Sequence, residues 1–183
     1  SDKGIYYNPS SPKVIDLIIK QVYELITNYD LAGIHFDDYF YIDYDIDKEN
    51  YEEYFKKNSN ITLSDYRLNL VNTMIKNVYK TIKDYNKEII FSISPDGNIN
   101  NNYELHFADI KTWLKEPGYV DIIMPQVYYG FNHDLKPFIE TLNEFINDWN
   151  LRKDIIWKRP EFSPFISDSP PLSSSCLRSV SSR

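Results

Sequence analysis

Apolar positions along the chain switch between two spacings, and the switching predicts a succession of helices and strands. Val14, Ile15, Ile18, Val22, Leu25 and Ile26 recur three and four residues apart, which predicts a helix over 12–29. Ser11 is its expected N-cap and Pro12 its first-turn residue. A short apolar strand is predicted at 31–36. After a polar excursion, Leu68, Val71, Met74, Ile75, Val78 and Ile82 form the stripe of a long helix, with Ser64 as the expected N-cap. Residues 88–94 read as a second strand, closed by the turn signal Pro95-Asp96-Gly97. A helix near 103–115 is predicted from Leu105, Ile110, Trp113 and Leu114. A third strand at 119–124 follows, running into Pro125-Gln126-Val127-Tyr128-Tyr129. A helix at 135–149 and the start of a fourth strand at 154–157 complete the pattern.

Strands alternating with helices mark βαβ units and a parallel sheet, so the fold class is α/β. Roughly three and a half such units are present, against the eight of a closed (β/α)8 barrel. The chain is therefore either an open parallel sheet or part of a barrel. A doubly wound nucleotide-binding fold is the rival, but no Gly-rich phosphate loop follows any strand. Beyond Trp157 the character changes. Asn and Tyr give way to Ser, Pro and Arg, as in Ser-Pro-Pro-Leu-Ser-Ser-Ser-Cys-Leu-Arg. The expected organisation is a partial barrel domain over 1–157 and an aberrant or disordered tail over 158–183. A changed reading frame or a junction with foreign sequence is the first reading of that tail, and a natural Ser-rich linker the second.

Composition narrows the partners. The net charge of -7 argues against a nucleic-acid partner, because phosphate binding needs a basic surface. No apolar run approaches the ~20 residues of a membrane-spanning helix, and the first residues have neither a basic region nor an apolar core of a signal peptide. The chain starts at Ser1, so it reads as cut from something longer. Cys176 is the sole cysteine, so no internal disulfide can form. The aromatic share of 16% suits stacking on sugar rings, though many of these rings also suit a sheet–helix interface.

The chemistry concentrates in Gly33-Ile-His-Phe-Asp-Asp-Tyr-Phe-Tyr41. Side chains alternate across a strand, so Ile34 and Phe36 point one way, His35 and Asp37 the other. A His and an Asp on one face, at a strand end, fit the carboxyl end of a barrel strand, where barrel enzymes carry their catalytic groups. Glycoside hydrolysis uses two carboxyl groups, and mutual repulsion between Asp37 and Asp38 favours a proton on one of them. On the second strand Phe91 and Ile93 are expected to face helices, which turns Ser92 and Ser94 to the interior. Gln126 and Tyr128 share a face on the third, where an amide and a phenol suit sugar hydroxyls. Tyr39, Phe40 and Tyr41 suit a stacking wall or, equally, loop anchors.

Other chemistries are disfavoured. Asp43, Asp45 and Asp47 suggest a calcium loop, yet Lys48 stands where Gly is needed and Tyr54 where Glu is needed. That segment is expected to be a solvated acidic loop. His35, His106 and His133 have no metal-ligand spacing, and no Gly-x-Ser-x-Gly elbow occurs. No cofactor and no metal are expected.

Four motifs in order resemble one family. Asn8-Pro9-Ser-Ser-Pro12, then Gly33 to Tyr41, then Ile93-Ser-Pro95-x-Gly97, then Asp121-Ile-Ile-Met-Pro-Gln-Val-Tyr128 resemble the bacterial glycosyl hydrolase-like 10 proteins over about residues 5–150. The resemblance implies a TIM barrel of which this chain supplies the middle strands, about the fourth to the sixth. It implies a polysaccharide or oligosaccharide substrate, such as cell-wall glycan, and a secreted or cell-envelope parent protein. It makes Asp37 and Asp38 the catalytic candidates. His35, Tyr39, Asn8, Ser94, Gln126 and Tyr128 are the expected substrate-binding residues. A non-catalytic carbohydrate-binding barrel, or an inactive fragment, is the alternative.

Overall fold

The computed structural model describes residues 4–149 and Leu151, apart from Tyr39 and Ser59. Within them, β1 (Gly33–Phe36), β2 (Ile90–Ile93) and β3 (Ile122–Ile123) form a parallel sheet in that order. The register pairs His35 with Ser92 and Ser92 with Ile122. α1 (Pro12–Asn28) precedes β1. Helices α2 (Lys48–Phe55) and α3 (Leu63–Tyr85) connect β1 to β2, α4 (Ile99–Glu104) and α5 (Ile110–Lys115) connect β2 to β3, and α6 (Phe138–Trp149) follows. Parallel neighbours require such crossovers, because each strand must restart at the same end of the sheet. The fold is α/β, a parallel sheet flanked by helices, with the architecture of part of a (β/α)8 barrel.

Strand alternation decides which face is dry. Phe91 and Ile93 are fully buried, and Ile34 nearly so, against the stripe of α3 at Val71, Ile75, Val78 and Ile82. α1 lies along α3 and adds Val22 and Ile26 to the same core, while Trp113 and Leu114 of α5 extend it toward α6. The opposite face holds His35, Ser94, Ile122 and Met124, and most of it is open. Two devices fix the strands' approach. At Gly33 any Cβ would stand 2.7 Å from the Ile90 carbonyl, so only glycine lets β1 lie this close to β2. The Asp121 carboxylate accepts from the Phe91 amide at 2.7 Å and pairs with Lys83 at 2.7 Å, tying the start of β3 to β2 and α3.

Four expectations need correction. The predicted helix over 103–115 is two short helices. Phe107, with φ of 52°, turns the chain sharply, and Asp109 starts α5 by accepting from the Thr112 amide at 3.1 Å. The long helix is capped by Thr62, whose hydroxyl accepts from the Asp65 amide, so Ser64 lies inside it. α2 carries too few apolar residues for periodicity to find it, and it has no buried residue. The acidic segment 43–47 is not uniformly solvated. Asp45 is exposed, but the Asp47 side chain is fully buried and paired with Arg67. The fourth strand at 154–157 and the tail over 158–183 lie outside the described residues.

Candidate active site

Asp37 sits just past the end of β1 on the open face, one alternation step beyond His35. Its Oδ1 accepts from the Asp38 amide at 2.9 Å and from Gln126 Nε2 at 2.7 Å. The same Gln126 nitrogen donates to the Ser94 carbonyl at 3.0 Å. One side-chain amide therefore links the carboxyl ends of all three strands. Gln126 is itself held by a backbone bridge to Asp96, its own amide donating to the Pro95 carbonyl at 2.9 Å. Gly97 makes that approach possible, because a Cβ there would stand 2.5 Å from the Gln126 carbonyl.

His35 faces the same open side but is directed across the sheet. Its Nδ1 lies 2.8 Å from the hydroxyl of buried Ser92. His35 and Asp37 line a cleft of about 720 Å³ between the edge of β1, helix α1 and residues 5–9. The cleft walls are mainly apolar and aromatic, including Tyr6, Val22, Phe36 and Phe40.

Asp38 goes the other way. It is 9% exposed, and its Oδ1 is buried with no hydrogen-bond partner. Burial, and then the charge of Asp37, pushes its carboxyl above the usual carboxylate range, while the charge of His106 opposes this. His106 belongs to the turn between α4 and α5, and its Nε2 is 3.9 Å from Asp96 Oδ2. Asp96 also accepts from the Asn98 amide at 2.6 Å, and its charge adds to burial in raising the phenol of Tyr129. The rim of the sheet thus brings Asp38, Asp96, His106 and Tyr129 into one neighbourhood. Three of these were not candidates in the sequence. Asp96 continues the inward alternation of Ser92 and Ser94, so strand periodicity carried past the Pro95 turn could have found it. Nothing local marks His106 or Tyr129.

The remaining expected residues fall in different places. Ser94 spends its hydroxyl on the Met124 carbonyl at 2.8 Å, bracing β2 to the end of β3. Tyr128 is 85% exposed on the loop after β3. Asn8 uses its whole amide for structure. Its nitrogen donates to the Ile46 carbonyl and to Asn50 Oδ1, and its oxygen accepts from the Ser10 amide and hydroxyl. It clasps the segment before α1 to the start of α2. Tyr39 lies outside the described residues. Phe40 packs edge-on against Trp113 at 5.6 Å, and Tyr41 is buried against Phe107 at 5.1 Å, so both are loop anchors. No group of three or more His, Cys, Asp or Glu side chains among the described residues has a metal-binding arrangement.

A parallel β/α sheet flanked by helices defines a barrel-type domain, and the carboxylate, its amide partner and the buried second carboxyl at the strands' carboxyl ends make the rim its candidate site. Comparison with known proteins gives the same class a family. The chain belongs to the glycosyl hydrolase-like 10 family, whose model matches residues 1–149. It is 34% identical over 151 residues to the glycosyl hydrolase YngK of Bacillus subtilis, a match covering 70% of this chain and 29% of that protein. The glycosyl hydrolase DigH of Escherichia coli is 32% identical over 141 residues, covering 68% of this chain and 32% of that protein. DigH of Shigella flexneri is 31% identical over a stretch of the same coverage. The chain thus spans under a third of the length of these relatives. Family and relatives describe a glycosyl hydrolase-like protein, and no helix among the described residues is long and apolar enough to cross a membrane.

Proposed function

We propose that this chain carries part of the site of a glycoside hydrolase acting on a polysaccharide, with cell-wall glycan as the leading substrate and a secreted or envelope-located parent protein. The observation that carries the reading is the Asp37–Gln126 contact of 2.7 Å on the open face, where the ends of the strands converge. A carboxylate so placed meets a sugar from the side that barrel enzymes use. Gln126 orients it, and an oriented carboxylate is what proton transfer or attack at an anomeric carbon requires. Asp38, the adjacent carboxyl, is buried away from the open face with its proton affinity raised, which eases the repulsion on Asp37. His35 and the exposed ring of Tyr128 offer hydrogen-bonding and stacking partners for sugar hydroxyls and rings. The names of YngK and DigH support hydrolysis as the reaction class.

The test is release of reducing ends from peptide-free peptidoglycan strands and from a panel of other polysaccharides by the full-length parent protein. Turnover is expected, with Asp37→Asn lowering it by about 10²-fold or more. Binding of glycan by the wild type without turnover on any substrate would replace hydrolysis with carbohydrate binding.

A further inference from the structure

The register of β1 on β2 sets His35 opposite Ser92, so the two side chains leave the same face of the sheet as neighbours. The imidazole Nδ1 lies 2.8 Å from the Ser92 hydroxyl, and that hydroxyl lies 3.4 Å from the Ile34 carbonyl. Ser92 is only 6% exposed although its face is open, whereas His35 beside it is exposed. The serine is thus a buried partner for one side of the ring, and the other side is turned to the cleft.

A hydroxyl carries one proton, so the contact has two possible arrangements. If Ser92 gives its proton to Nδ1, its hydroxyl makes no bond to the Ile34 carbonyl. If Nδ1 holds the proton, the ring donates to Oγ, Oγ donates to the Ile34 carbonyl, and both contacts are bonded. The second arrangement makes two bonds where the first makes one, at a hydroxyl that water barely reaches, and bonds in a chain strengthen one another. The neutral imidazole then carries its lone pair on Nε2. Among the described residues none bonds Nε2, and His35 lines the cleft together with Asp37, two positions along the same face.

We propose that Ser92 is a positioning residue of the site: it holds His35 with the proton on Nδ1, so that Nε2 meets the substrate as a hydrogen-bond acceptor beside Asp37. The proposal rests on the glycosidase reading for the identity of the ligand, while the orientation of the ring and the place of its proton rest on the two contacts of Ser92. Buried Ser92 acts through the ring and not on the sugar. A bare ring nitrogen and a carboxylate both require donors. This side of the cleft therefore receives the hydroxyl or amide hydrogens of a sugar and rejects its anionic groups.

The experiment reads the ring nitrogens of His35 by nitrogen NMR in the histidine-labelled chain, at a pH well above the imidazole range, with His35 assigned by its absence in His35→Gln. The wild type is expected to show Nδ1 protonated and Nε2 bare. Ser92→Ala is expected to move the ratio toward protonated Nε2 by about fivefold, the worth of one net hydrogen bond. A wild-type ring protonated at Nε2, or a ratio unchanged by Ser92→Ala, overturns the proposal. The wild-type reading needs no variant, so it decides even if Ser92→Ala fails to fold. In the full-length parent, Ser92→Ala should lower kcat/KM on a glycan by about the same factor. A proton that moves to Nε2 with kcat/KM unchanged overturns the part given to Nε2. Absence of turnover in the wild-type parent counts against the glycosidase reading alone, because the ring signals need no substrate.

Discussion

Replacing Arg67 with alanine is expected to cost about 3–5 kcal/mol of folding stability, the loss measured when one partner of a buried ion pair is removed. The structure sets that scale rather than the fraction expected of a surface pair. The side chains of Asp47 and Arg67 are 0% and 5% exposed. Contact is bidentate, with Arg67 Nε 2.8 Å from Oδ2 and Nη2 2.6 Å from Oδ1, and Tyr41 donates a third bond to Oδ2 at 3.2 Å. The guanidinium also donates to the Tyr44 carbonyl and lies 4.9 Å from the centre of the Phe107 ring. Alanine leaves a carboxylate in a dry cage and removes the packing of the stem. Lysine keeps the charge without the planar fork, so Arg67→Lys should recover only part of the loss. Urea unfolding followed by circular dichroism measures both. Since whole domains are stable by about 5–15 kcal/mol, the alanine variant should be near its unfolding threshold. A cost below about 1 kcal/mol, the worth of an exposed pair, would refute the reading of Asp47 and Arg67 as a buried pair whose loss strands a charge.

Further expectations concern the rim itself. Gly97→Ala should cost about 1–3 kcal/mol, because its Cβ would press on the Gln126 carbonyl 2.5 Å away, and it should weaken glycan turnover or binding by displacing Gln126 from Asp37. Unchanged stability and unchanged glycan response would show that the strand ends tolerate the shift. Asp38→Asn should gain stability relative to wild type as pH rises from 3 to 7. The Asp38 carboxyl binds its proton more tightly folded than unfolded, so its contribution supports folding at low pH and turns into a cost as pH rises past its raised midpoint. Equal effects of the substitution at both pH values, read from urea midpoints, would contradict that sign.

Much of this protein was legible in one dimension because the relevant physics is periodic. The stripe of α3 and the alternation of β1 and β2 follow from which residues dislike water and how far apart they stand, so helix, strand and dry face could be assigned before any contact was known. The placing of His35 and Asp37 on one face came from the same rule. Motif order, likewise, pointed to the family. What sequence spacing could not carry is everything set by partners distant along the chain. Asp47 looked solvated until Arg67, 20 residues on, was folded over it. Adjacent Asp37 and Asp38 looked like one pair, yet alternation and burial send the first to the open face with Gln126 and the second into a buried position without a hydrogen-bond partner for its Oδ1. Asn8 shared a motif with the site but is consumed by a clasp to α2. Local energy favours elements over a few residues, whereas burial and electrostatic pairing act on whatever the chain brings together in space. The helices, strands and the identity of the acidic strand end were therefore written in the sequence. Which carboxyl meets solvent, which is buried, and what charges surround it were decided only by the tertiary fold.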